Sequence, residues 1–272
     1  MRKLLVAVSA AFAGLLPATF LAPADAAGSY SVTAKVSATS INFGQEVTMT
    51  GKVSPSAAGA KIRIQRSHDD QDYVGFETVH TATIRSDGTF SKTFEPSIGT
   101  YTWRAYKMYG QGRSGGASTP IAIHAYTWYQ LANATWVHVL SDDTGGPGRF
   151  GPITVAGAPF KSYWESKPDA TGSTRWYLER SCRRFIGTVG LDDARSDAGA
   201  FGRVRVAGSP TLLLDKSMNG STKLAVDVSF DPAKNSWLTI SASRLHADKA
   251  TAVVVANPKV QCAFPHNEDE LP

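Results

Sequence analysis

Beyond residue 27 this sequence holds no stretch of twelve or more residues whose apolar positions recur at i, i+3, i+4 and i+7, so it has no ordinary amphipathic helix to fold around. It has short alternating runs instead, bounded by Gly, Ser, Asn, Asp and Pro. In the clearest of them Leu224, Val226, Val228 and Phe230 point one way, and Ala225, Asp227 and Ser229 the other. A two-residue period gives a strand with one buried and one wet face, and many such strands close only as stacked antiparallel sheets. The expected fold class is therefore all-β, with sandwich architecture throughout.

From Ser31 to about Ala125 the runs are Ser31–Ala38, Glu46–Val53, Lys61–Gln65, Phe76–Ile84, Thr89–Phe94, Gly99–Tyr106 and Ala117–His124. Asp87-Gly88 is a hairpin turn between two of them. About seven strands in this length is the size of an immunoglobulin-like sandwich. In pattern and length, and in Gly99-Thr100-Tyr101, this part resembles bacterial immunoglobulin-like domains. Ala125–Trp128 reads as a tight linker. A second β unit follows, with strands at Arg184–Leu191, Gly202–Ala207, Leu212–Leu214, from Lys223 onward, Trp237–Ser241, Ala252–Ala256 and Lys259–Phe264. Its size fits a jelly-roll sandwich. The expected organisation is a leader over 1–26, an immunoglobulin-like sandwich over 27–125, a jelly-roll over 126–264 and an acidic tail over 265–272.

Arg2 and Lys3, the apolar Leu4–Leu21 and the small residues Ala24 and Ala26 make a signal peptide with an A-x-A type cleavage site. The expectation is a secreted, extracellular chain with no membrane insertion. Losing the leader removes Arg2, Lys3 and Asp25 and lowers the formal charge from +5 to +4, which gives no reason to expect a nucleic-acid partner. In an oxidising compartment Cys182 and Cys262 read as a disulfide, with two buried thiols as the alternative.

Catalytic signatures are scarce. Gly112-Arg113-Ser114-Gly115-Gly116 matches G-x-S-x-G, but a nucleophile elbow needs a following helix, so the segment reads as a hairpin loop. His246-Ala247-Asp248 reads as a polar turn. Asp142-Asp143 and Asp192-Asp193 are adjacent pairs in loops, not the separated carboxylates of glycoside hydrolysis. With Asp197 nearby, the second pair could hold a structural calcium ion, although a solvated acidic turn is the plainer reading. No catalytic residue, metal ligand or required cofactor is expected. Asn133-Ala134-Thr135 and Asn219-Gly220-Ser221 are glycosylation sequons.

The aromatics say more. Trp128, Trp136, Trp164, Trp176 and Trp237, five of the six tryptophans, lie beyond residue 127. Sugars offer C–H faces to aromatic rings and hydroxyls to polar side chains, so a glycan site pairs exposed aromatics with charged or amide groups. Trp237 opens a strand and reads as core. Tyr163 and Trp164, with Glu165 and Asp169, read as a surface platform between strands. Arg175, Arg180, Arg183, Arg184, Arg195, Arg203 and Arg205 crowd one region and would suit an acidic sugar or phosphate if they shared a face, but Asp192, Asp193 and Asp197 sit among them.

The run Arg183-Arg184-Phe185-Ile186-Gly187-Thr188-Val189-Gly190-Leu191-Asp192-Asp193 resembles the central motif of the NPCBM family of carbohydrate-binding modules. The likeness extends over about Tyr129–Phe264, through the later strands and the Ala256-Asn257-Pro258-Lys259-Val260 block. The resemblance implies a non-catalytic jelly-roll that binds a glycan, galactose-like in some members. Where members of that family carry a Gly-hydrophobic-x-x-His-Ala segment, this chain has Ser162-Tyr163-Trp164-Glu165. The alternative is accordingly a cell-envelope structural or protein-interaction module without a sugar site, whose partner is a protein.

Overall fold

The computed structural model describes residues 28–68, 75–132, 138–141, 148–166 and 171–264. These residues are all β, as the alternating pattern requires. The leader, the acidic tail, Trp136, Asp142, Asp143, Asp169 and the sequon at Asn133 lie outside them. No helix among the described residues is long and apolar enough to cross a membrane.

In the N-terminal half, strands β1 (Ser31–Val36), β3 (Val47–Ser54) and β6 (Thr89–Phe94) form an antiparallel sheet in the order β1-β3-β6. Opposite lies a sheet of β5 (Glu77–Thr83), β4 (Lys61–His68), β7 (Gly99–Lys107) and β9 (Ile121–Gln130). Strand β2 (Ser40–Asn42) runs parallel to β9, and β8 (Gly116–Ala117) adds to β7. Strand β7 buries Tyr101, Trp103 and Ala105 and turns Thr102, Arg104 and Tyr106 outward. Those rings meet Val47, Met49, Ile62, Ile64 and Phe90 in one core shared by both sheets. The Gly112–Gly116 segment is a turn and a short strand with no helix after it. Gly116 is a steric necessity, because a Cβ there would lie 1.8 Å from the Tyr30 carbonyl oxygen.

The C-terminal half builds a second sandwich. One sheet has the order β10-β13-β18-β15-β16, with β10 (Val139–Ser141), β13 (Gly172–Tyr177), β18 (Trp237–Arg244), β15 (Phe201–Gly208) and β16 (Thr211–Asn219). The other contains β11 (Arg149–Val155), β12 (Ala158–Glu165), β19 (Val253–Cys262), β14 (Cys182–Leu191) and β17 (Lys223–Ser229). Trp164, Trp176, Phe185, Val206, Ile240 and Val255 fill the space between. A smaller cluster of Ile153, Val155, Tyr163, Val254 and Ala256 covers the far side of β12 and β19. Strand β19 is thus buried on both faces, which is why Val253-Val254-Val255-Ala256 is continuously apolar. Cys182 and Cys262 are register partners on β14 and β19 and form a disulfide.

Three readings of the sequence are corrected. The 125–128 stretch is no linker but the middle of β9, which pairs with β7 through Ala125 and with β19 from Thr127. The breaker signal at Asn257-Pro258 is a bulge within β19. There Asn257 takes φ 48° and its Oδ1 accepts from Gln130 Nε2 at 2.9 Å. Tyr163-Trp164-Glu165 lies inside β12, not between strands.

Candidate functional site

That last correction dismantles the expected platform. Neighbouring residues of a strand point to opposite faces, so Tyr163-Trp164-Glu165 cannot present one surface. Trp164 is fully buried in the sandwich core, and its Nε1 donates to Thr174 Oγ1 at 2.8 Å. Tyr163 and Glu165 share the other face of β12 and are also buried. Glu165 sits between Arg149 at 3.3 Å and Arg195, and Arg195 in turn bonds Asp192 and lies 5.6 Å from the Tyr163 ring centre. This carboxylate is tied into a polar network under the 192–195 loop. The other loop acids are similarly engaged. Asp193 accepts from the backbone N–H groups of Ala156 and Gly157, and Asp197 from that of Ala250. Backbone N–H donors thus face both carboxylate oxygens of Asp193 and Oδ2 of Asp197. His246 packs against Phe201 at 5.1 Å, and no group of three potential metal ligands occurs among the described residues.

The aromatic surface lies on the opposite sheet. In β18, Leu238, Ile240 and Ala242 are buried, so Trp237, Thr239 and Ser241 face out. In β13, Thr174 and Trp176 are buried, so Ser173, Arg175 and Tyr177 face out. The antiparallel register pairs Tyr177 with Trp237, Arg175 with Thr239 and Ser173 with Ser241. The Tyr177 and Trp237 rings lie 5.0 Å apart at 54°, and Tyr177 is 37% exposed. The Arg175 guanidinium stands 4.8 Å from the Trp237 ring centre. His138 closes the end, 6.3 Å from Trp237, beside the backbone bond from Tyr177 N to His138 O at 2.9 Å. At the rim, Glu179 and Arg180 take left-handed φ values of 48° and 57°, and Arg180 Nε donates to Ser236 Oγ at 3.3 Å. Two consecutive non-glycine residues in that region are uncommon and are held there by the surrounding structure.

This surface combines two aromatic faces with guanidinium, imidazole and hydroxyl groups on a rigid sheet. It can stack an apolar ring face and donate or accept hydrogen bonds around its edge. Of its residues, the sequence reading placed Trp237 in the core and passed over Tyr177 and His138. The signal was present in the parity of Leu238, Ile240 and Ala242, which assigns Trp237 to the polar face.

The clustered arginines divide. Arg184 pairs with Asp227 at 2.5 Å, and Arg203 and Arg205 both pair with Asp215, at 2.6 and 3.1 Å. Hydrogen bonds from these guanidinium groups hold the Asp215 and Asp227 carboxyls below the ordinary carboxylate range. A carboxylate held ionised in this way is a poor general acid.

No family model matches this chain, and no curated protein matches it. Solved structures with some similarity include CBM51 from Clostridium perfringens GH95 in complex with methyl-galactose. It is 16% identical with a TM-score of 0.37, over 49% of this chain and 99% of that one. The M60 catalytic domain with two CBM51 domains from Clostridium perfringens ZmpB is 12% identical with a TM-score of 0.37, over 85% of this chain and 31% of that one. The CBM22-1 xylan-binding domain from Paenibacillus barcinonensis Xyn10C is 10% identical with a TM-score of 0.31, over 52% and 95%. Likenesses at these scores carry no argument about the ligand of this chain.

Proposed function

We propose that this chain is a secreted, non-catalytic glycan-binding protein that docks a sugar ring on Trp237 and Tyr177. The observation that carries this reading is the Trp–Tyr pair on the outer face of the five-stranded sheet, with Arg175 over the indole and His138 at its edge. Aromatic side chains of this size normally bury their faces, and a pair left on a flat surface beside polar donors suits a ligand with one apolar and one hydroxylated side. The NPCBM-like motif at Arg183–Asp193 supports the same class and suggests a galactose-like sugar. The 1–26 leader supports secretion, and the Cys182–Cys262 disulfide is consistent with it.

A glycan array that includes terminal galactosides tests the reading, followed by titration of any hit against Trp237→Ala. We expect binding by the wild type and a loss of at least about tenfold in the variant, as for removal of a stacking residue worth more than about 1.4 kcal/mol. Absence of binding to every saccharide, together with capture of a protein partner, would replace it with the interaction-module reading. Turnover of glycosyl or ester substrates would contradict the non-catalytic assignment.

A further inference from the structure

Arg183 differs from its charged neighbours. It forms no ion pair among the described residues, yet it is fixed in place. Its Nε donates to Gln261 Oε1 at 3.0 Å, one Nη donates to Ser40 Oγ at 2.7 Å and the other to Asn42 Oδ1 at 2.8 Å. The guanidinium lies 4.0 Å from the Tyr126 ring centre. All three acceptors are neutral, and Asn42 Oδ1 is braced in turn by Gln261 Nε2 at 2.8 Å. A guanidinium has five N–H donors. The contacts among the described residues use three of them, all on neutral acceptors, so none of these partners compensates the charge.

Arg183 lines a cleft of about 320 Å³ between the sandwiches, with Asn42, Phe43, Tyr126, Trp128 and Gln261 among its other walls. Arg184 also borders it, 5.8 Å from the Trp128 ring centre, but Asp227 neutralises that charge. Arg183, Arg184 and Asp227 together leave a single net positive charge. We infer that this cleft is a binding site for a singly charged oxyanion on a sugar, the carboxylate of a uronic acid or a sulfate ester. The fork of Arg183 is pre-organised by its three neutral contacts, so little side-chain entropy is lost when the anion binds. Trp128 and Tyr126 supply ring surface beside the charge. A phosphate monoester, carrying about 1.5 to 2 negative charges near neutrality, exceeds what one guanidinium compensates. This site uses none of the platform residues, so the two readings stand or fall separately.

The test is titration of the full chain with galacturonate, galactose 6-sulfate, galactose 6-phosphate and galactose, following the indole N–H NMR signals of Trp128 and Trp237. Galacturonate, the sulfate ester or both should shift the Trp128 signal at least about tenfold more tightly than galactose does, less so in high salt. Arg183→Met should lose that preference. Because this change also cuts contacts between the sandwiches, Phe43→Glu, at an exposed residue of the cleft lining, provides an independent check. It leaves the Arg183 contacts in place and sets a carboxylate in the cleft, so it should abolish the Trp128 shift without lowering the melting temperature. The inference is overturned if the Trp128 signal is unmoved, if galactose matches the anions, if the phosphate ester binds tightest, or if both variants bind like the wild type. A shift of Trp237 alone would overturn it while supporting the platform.

Discussion

At the scale of single residues, two tryptophans exchange the roles that their sequence surroundings suggest. Trp164 sits among Lys, Ser, Glu, Pro and Asp yet fills the core, and Trp237 opens an apolar strand yet faces out. Trp164→Ala should therefore destabilise the protein by about 3–5 kcal/mol, the usual cost of emptying a buried tryptophan site. Trp237→Ala should cost less than about 1 kcal/mol. Urea denaturation of both variants checks the contrast, and equal losses would refute the assignment of faces. His80 gives a second prediction. Burial, with Lys92 and Arg66 nearby, pushes its pKa below 6.5, while Phe94 and Trp103 pack on the ring. The folded state favours the neutral ring, so its contribution is present above the unfolded value. It is lost as pH falls from about 6.5 through the lower folded value. Between pH 8 and pH 5 the wild type should lose more in melting temperature than His80→Phe, which keeps the ring stack and removes the titration. Asp87, Asp215 and Asp227 act lower. Their folded pKa values are depressed, first by the Thr89 backbone N–H for Asp87 and by arginine for the other two. Their support is present above about pH 4 and fades on further acidification.

At the scale of elements, legibility followed the cleanness of the alternation. Strands β1, β7 and β17 were readable because each alternates without interruption. Strands β11 and β12 were not, because Gly151, Pro152, Gly157 and Pro159 interrupt the pattern with residues that usually mark turns. Pro152 falls at the register shift between Phe150 and Ile153, where the ladder is irregular. Strand β19 was divided in two because a left-handed Asn257 before a proline has the same local signature as a loop, and only the partner strands reveal a bulge. The platform inherits this limit. Trp237 could have been placed from parity alone, but its partnership with Tyr177 depends on a register between β13 and β18 that no local signal specifies. The pairing of β14 with β19 has its own consequence. The Cys182–Cys262 bridge spans a sequence separation of 80 and fixes the last strand to the sandwich. Its reduction should cost on the order of 2–4 kcal/mol, seen as a lower denaturation midpoint in reductant. An unchanged midpoint with both thiols titratable would show that the bridge adds no stability.

At the scale of the whole molecule, the reading of two sandwiches joined by a linker meets a structure whose joint is a strand. The two cores are separate clusters, one ending at Ala125 and the other beginning at Tyr129. Strand β9 nevertheless belongs to both, so cutting at 125–128 would remove a paired strand from each half. A second tie runs beside it. Arg183 and Gln261 of the C-terminal sandwich bond Ser40 and Asn42 of the N-terminal one. Hydrogen bonds from a charged donor contribute about 1.5–3 kcal/mol when buried and less at a half-exposed site such as this. Together with the continuous strand, such contacts should couple the two cores enough that neither unfolds while the other persists. Scanning calorimetry of the intact chain should then show one transition, with calorimetric and van't Hoff enthalpies in agreement. Replacing both Asn42 and Arg183 by Ala removes the lateral tie but leaves β9 whole, and should split or broaden that transition as the weaker sandwich melts first. Two resolved transitions in the wild type would show instead that β9 bends freely between independent units, as a linker would.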